Sequence, residues 1–220
     1  MITEADLKAD LRRYLQEARD ALLWKLDGLP EYDVRRPFTP TGTNLLGLVK
    51  HLAGVELLYL GFVFGRHFDE PVPWFRPDLG PAVPRNTDMW ATAEESRDYV
   101  TGVYRRVWGH ADATIAALPL ESAAHIVWWP EEHRRATLHR VLVHVIAETH
   151  RHAGHADIVR ESIDGGAGYR DGDDLVTAGD LSWWQEYREE LERVAREAAH
   201  RGPGVPGAAG APADRGAHSR

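Results

Sequence analysis

Five of the chain's twelve histidines, His139, His144, His150, His152 and His155, fall in one stretch with a helical pattern. Leu138, Val141, Val145, Val159 and Ile163 mark its apolar seam, Thr137 stands where an N-cap is needed, and Gly165–Gly166 stop it. At about 100° per residue, with Glu148 as zero, His152 lies about 40° to one side. His155 and His144 lie about 20° and 40° to the other side, while His139 and His150 fall near the opposite, solvent face. Glu148, His152 and His155 therefore occupy slots that the seam elsewhere fills with valine, leucine or isoleucine. A carboxyl group placed there without compensation is costly. A divalent cation would compensate, and Glu at i with His at i+4 sets two ligands one turn apart on one face.

A third ligand has to come from a facing helix. His51 stands between Lys50 and Leu52 in an apolar helical stretch, and it is the histidine inside that helix. By itself it reads as a core histidine with a hydrogen-bond partner. Opposite Glu148 and His152 it completes two imidazoles and one carboxylate, the ligand set of catalytic zinc and of some ferrous sites. The competing reading is an ion pair of Glu148 with Arg151 or His152. A two-iron carboxylate bundle needs Glu-x-x-His twice and two further glutamates, whereas the chain has Glu148-x-x-x-His152 once and Glu56 as one spare. The motif HExxH is absent, which removes the zincin protease reading.

The elements that must position these residues are helical almost throughout. Leu7, Leu11, Leu15, Ala18, Leu22 and Leu26 predict a first helix over 4–27 with Thr3 as N-cap. The following DGLPEYDVRRPFTPTG, with Pro30, Pro37 and Pro40, is read as non-helical. A second helix is expected from after Thr43 to about Gly65. Residues 69–91, with five prolines beside Trp74, Phe75 and Trp90, read as a stiff cover or a lid over a pocket. Thr92 and Glu95 suggest a capping box opening a third helix over about 93–118. Residues 119–136 read as an irregular connector containing Trp128 and Trp129, and no strand is expected. The His-rich fourth helix is placed from Leu138 to Asp164, and Asp180 is read as the cap of a short fifth helix through His200. Residues 202–220 hold 8 glycines and prolines in 19 positions and are expected to be a disordered tail. The fold class is all-α, a four-helix bundle with a short extra C-terminal helix, with the domain spanning 1–200 and the tail 201–220.

Composition sets the outer bounds. The chain has 220 residues, 43% hydrophobic and 27% charged, with a formal charge of −8. That length carries a full core, and the acidic balance argues against nucleic acid as a partner. There are no cysteines, so disulfide frameworks, thiolate metal sites and cysteine nucleophiles are excluded. The N-terminal MITEADLKADLRRYL carries acids where a leader would carry a basic patch, and no uninterrupted apolar window reaches membrane-spanning length. The expected setting is the cytoplasm, with no membrane partner.

The stretches GTNLLGLVKHLAGVE at 42–56 and LHRVLVHVIAETHRHAGHADIVRESIDG at 138–165 resemble the DinB/YfiT-like metalloenzyme superfamily. They look closest to the actinobacterial branch related to mycothiol-dependent maleylpyruvate isomerase. The resemblance implies a DinB-type four-helix bundle around a divalent metal, zinc first, with nickel or iron as other occupants. It implies His51, Glu148 and His152 as metal ligands, in agreement with the reading from the residues. His155, Asp157 and Arg160 match the family's GHxDxxRE run and are expected behind the ligands, with His155 also able to serve as a fourth. The implied activity is a mycothiol-type S-transferase or isomerase reaction that takes a small-molecule thiol as cosubstrate and a small electrophile, with a possible homodimer. Two departures stand out. Where the isomerase relatives carry a separate C-terminal domain, a short helix and a Gly/Pro tail are expected here, and Ala147 occupies a position where the family often has a second acid. A metal-dependent hydrolase or isomerase acting without thiol, and a non-catalytic, stress-associated metal-binding bundle, are the alternatives. A ligand-closed site would favour the last, and an open position facing a pocket would favour an enzyme.

Overall fold

The computed structural model describes residues 2–75, 77, 86–172 and 181–201. Two compact units divide the chain, Met1–Thr177 and Ala178–Arg220. The first is a helical bundle of α1 (Glu4–Trp24), α3 (Leu45–Tyr59), α4 (Arg97–Ala117) and α5 (Leu138–Asp164), with a short α2 (Glu31–Arg35). α5 has the expected bounds, with the Thr137 hydroxyl accepting from the Arg140 N–H and Gly165 closing the helix at φ 84°. α1 starts where expected, with Thr3 and Asp6 forming a reciprocal capping box.

α1 packs against α4 and α5, and α3 packs against the same two helices, so α1 and α3 face each other diagonally. Leu15 and Leu22 of α1, Leu48 and Leu52 of α3, Val100 and Ile115 of α4, and Val141 and Val145 of α5 fill the centre and are out of water. Each such side chain contributes about 1.5–3 kcal/mol by burial. Among the described residues Leu45–Phe64 is one stretch long and apolar enough to cross a membrane, and 72% of its apolar window is buried inside the protein, as befits a core helix. Across the diagonal, Arg19 grips Glu56 with two hydrogen bonds of 3.0 and 2.5 Å and also reaches Asp112 at 3.0 Å. Glu56, the spare carboxylate a two-metal site would have needed, is therefore committed to an arginine.

Several expectations on the connectors are corrected. The proline-rich segment after α1 does hold a helix, because Pro30 sits at its N-cap, where no N–H is needed. α3 ends at Tyr59, and a 3₁₀ turn over Phe62–Phe64 follows. α4 begins at Arg97 with Ser96 as its cap; the Glu95 carboxyl does accept from the Thr92 N–H, but it also takes Lys50 Nζ. Residues 119–136 are not irregular. Ala123–His125 pairs antiparallel with Arg135–Thr137, and the segment leading into this ribbon supplies the Leu120 and Ser122 carbonyls to the first N–H groups of α5. The described part of the aromatic loop packs as a cover, with Val72 and Trp74 against Leu57, Val103 and Val107.

In the second unit, α6 (Leu181–Arg201) occupies the span read as the extra C-terminal helix. Arg193 pairs with Glu190 and Glu197 on one side, and Trp183 stacks on Tyr187 on another. The middle of the proposed lid (78–85), the Asp180 cap and the 202–220 tail lie outside the described residues.

Candidate metal centre

His51 projects from the middle of α3 toward α5, and Glu148 and His152 project from successive turns of α5. Their ligand atoms, one from each residue, all lie within 4.8 Å of one another. Glu148 Oε1 stands 3.0 Å from His152 Nε2 and 3.9 Å from His51 Nε2. Both imidazoles thus turn the same nitrogen to the same carboxyl oxygen, and the rings meet edge to face at 4.9 Å.

The site lies on a cleft wall rather than in a sealed core. The side chains of His51, Glu148 and His152 are 21%, 25% and 11% exposed. The buried slot assigned to Glu148 is taken instead by Thr149, whose hydroxyl donates to the Val145 carbonyl one turn back. The cleft measures about 400 Å³ and is bounded by Thr41–Thr43, Asn86, Asp88, Met89 and Arg151 together with the three residues. Glu148 and Arg151 approach only to 3.9 Å, so the ion-pair reading has a weak partner there.

Each imidazole is held from behind. His51 Nδ1 lies 2.6 Å from Asp88 Oδ2, and this hydrogen bond keeps the Asp88 carboxyl below its ordinary value. A carboxylate can only accept, so Nδ1 of His51 donates to Asp88 and Nε2 is the ring nitrogen left facing the cleft. His152 Nδ1 lies 3.2 Å from His155 Nδ1. Burial, and then the neighbouring His51, hold His152 below its ordinary value, which favours the neutral ring that a metal requires.

Of the expected outer residues, only His155 reaches the group, and it does so from an exposed position rather than the buried slot expected for it. Asp157 and Arg160 are drawn elsewhere. Asp157 pairs with the buried Lys25 at 2.8 Å and accepts from the Gly168 N–H at 2.9 Å. Arg160 donates to the carbonyls of Lys25 and Asp27 at 3.0 and 2.7 Å and to Asp164 at 2.8 Å. Together they lock the end of α1 to the end of α5. His144, one turn before Glu148, packs instead against Tyr59 and Trp129, with ring centroids 4.7 and 5.1 Å away. The Tyr59 hydroxyl accepts from the indoles of both Trp128 and Trp129, at 2.9 and 3.0 Å.

Asp88 was not foreseen. It lies 37 residues from His51 in a loop whose pattern of prolines and aromatics carries no ligand signal. The only pointer in the sequence is an acid on the C-terminal flank of a loop expected to cover a pocket.

Two imidazoles and one carboxyl around a shared point, beside open volume, form a donor set suited to a borderline cation with a free coordination position. A family model described as mycothiol-S-transferase matches residues 10–165, which runs from within α1 through the end of α5 and includes all three residues. No curated protein shows significant similarity to the chain.

Proposed function

Because the chain belongs to the mycothiol-S-transferase family, within the DinB/YfiT-like superfamily, we propose that it is a divalent-metal-dependent enzyme joining a low-molecular-weight thiol to a small electrophile. One observation carries the metal part of this reading: the ligand atoms of His51, Glu148 and His152 meet within 4.8 Å on the wall of a cleft. Zinc is the cation this donor set suits first, with nickel or iron next. Bound there, it would supply the positive charge that holds a thiol as thiolate near neutral pH.

The chain's own residues do the rest. With no cysteine anywhere in the sequence, the sulfur nucleophile has to arrive with the cosubstrate. Asp88 keeps the proton of His51 on Nδ1, away from the cleft. Arg151, exposed at the rim, offers positive charge to an incoming anionic group, and Thr41 and Thr43 bring hydroxyls to the same opening. The setting is the cytoplasm, where small thiols are kept reduced.

The test is elemental analysis of protein purified without a metal-affinity tag, followed by turnover of an alkylating electrophile with mycothiol, bacillithiol or glutathione. The expected result is about one metal per chain, lost in His51→Ala and His152→Ala with helicity unchanged, and thiol consumed one for one with electrophile. Electrophile lost at the same rate without thiol would favour bound hydroxide as the nucleophile. No metal in the wild type after zinc, nickel and iron are offered would overturn the reading.

A further inference from the structure

We propose that Asp88 is a positioning residue for His51 and that Gly47 is the notch through which the segment bearing Asp88 is seated on α3. This inference rests on the metal reading and extends it to a part of the chain that supplies no ligand.

The segment from Asn86 to Thr92 crosses the N-terminal half of α3 and is fastened at several points. It opens with Asn86 in the left-handed region at φ 61° and turns through a 3₁₀ helix over Thr87–Met89. Asn44, the cap of α3, donates from Nδ2 to the Met89 carbonyl at 3.1 Å while its Oδ1 accepts from the Gly47 N–H at 2.7 Å. The buried Lys50 donates to the Trp90 carbonyl at 2.9 Å and to Glu95 at 2.8 Å. Arg35 donates to the Thr92 carbonyl at 2.9 Å. Thus Lys50 ties down the segment that orients its own neighbour, His51.

The closest approach is at Gly47. A Cβ there would stand 1.9 Å from the Met89 carbonyl oxygen and 2.6 Å from its carbon. Those atoms are backbone, so they cannot swing aside as a side-chain end would; any side chain at 47 must push Met89 off the helix. Asp88 precedes Met89 and would move with it. Only a few tenths of an ångström separate a strong hydrogen bond at 2.6 Å from a weak one. Carboxylates behind metal-binding imidazoles fix ring orientation and raise ligand basicity, and their loss typically weakens metal affinity 10–100-fold.

The test uses the full chain and zinc, with affinity measured against a competing chelator and helicity followed by circular dichroism. Asp88→Ala is expected to weaken zinc binding about 10–100-fold at unchanged helicity. Asp88→Asn, whose amide oxygen can still accept from Nδ1–H, should recover most of that loss. Gly47→Ala should weaken binding in the same direction although residue 47 touches no ligand. The double variant Gly47→Ala/Asp88→Ala should bind no more weakly than the worse single variant, because both act through one contact. In ¹⁵N spectra of the metal-free protein, the Nδ1–H form of His51 should dominate in the wild type and give way to mixed tautomers in Asp88→Ala. Zinc affinity in Asp88→Ala within twofold of wild type would overturn the proposal while leaving the metal reading standing. Absence of zinc binding in the wild type would overturn both, and Gly47→Ala with wild-type affinity would overturn the role of the notch.

Discussion

Arg19 and Glu56 meet in the centre of the bundle, and neither side chain has access to water. Removing one partner strands the other's charge, so Arg19→Met should cost about 3–5 kcal/mol in urea unfolding. Adding Glu56→Leu to it should recover much of that loss, because a buried pair replaced by apolar groups of similar volume is often near neutral. His144 makes a second residue-scale prediction. Burial holds it below its ordinary value; the charge of Glu148 opposes that and Arg140 adds to it. The folded state therefore keeps His144 neutral while the unfolded chain takes up a proton near pH 6.5, so its contribution is present above that pH and is lost as the pH falls further. His144→Gln should flatten the fall in stability between about pH 7 and 5.5, measured by urea unfolding across that range. At this scale the candidate trio was legible from a glutamate and a histidine one turn apart on α5 and a histidine inside α3, although Thr149 rather than Glu148 fills the buried slot of the seam. Asp88 was not, since no spacing rule links a loop acid to a helix 37 positions away. Asp157 and Arg160 share the motif's register, but their side chains reach back toward α1, a direction that register alone does not reveal.

The long elements were readable, and the short ones were not. α5 carries start and stop signals at both ends, so its bounds follow from Thr137 and Gly165. The strands Ala123–His125 and Arg135–Thr137 have three residues each, with alanine at their buried positions, and give no alternating signal. α4 begins at Arg97 with Ser96 as its cap, past the Thr92–Glu95 pair read as its opening, and Glu95 also takes Lys50 of α3, a tertiary contact that no local pattern reveals. Thr137 belongs to the ribbon and also caps the helix that bears two of the three candidate ligands. Thr137→Ala should cost about 1 kcal/mol in urea unfolding. The Leu138 and His139 N–H groups remain satisfied by the Ser122 and Leu120 carbonyls, so the loss should stay near that figure.

For the molecule as a whole, a ligand that binds only the folded state adds stability by mass action. Zinc at about 100 times its Kd should add about 2.7 kcal/mol. For a chain of this size that corresponds to a rise of about 5–10 °C in Tm by calorimetry. The rise should vanish in His152→Ala, and its persistence there would place the bound ion elsewhere. The diagonal of α1 and α3 sets where such an ion can sit. It leaves α3 and α5 as neighbours, with His51 on one and Glu148 and His152 on the other. The seat of Met89 on Gly47 has a chemical consequence of its own. Met1 and Met89 hold all the sulfur in the chain, so an oxidant meeting this protein finds its one internal soft target on the rim of the cleft, beside Asp88. A sulfoxide there would set a polar, chiral group where a thioether now packs on the core. Peroxide damage in this cysteine-free protein should therefore register first as weakened metal retention, with a gain of one oxygen at Met89 by peptide mass spectrometry, and methionine sulfoxide reductase should reverse both.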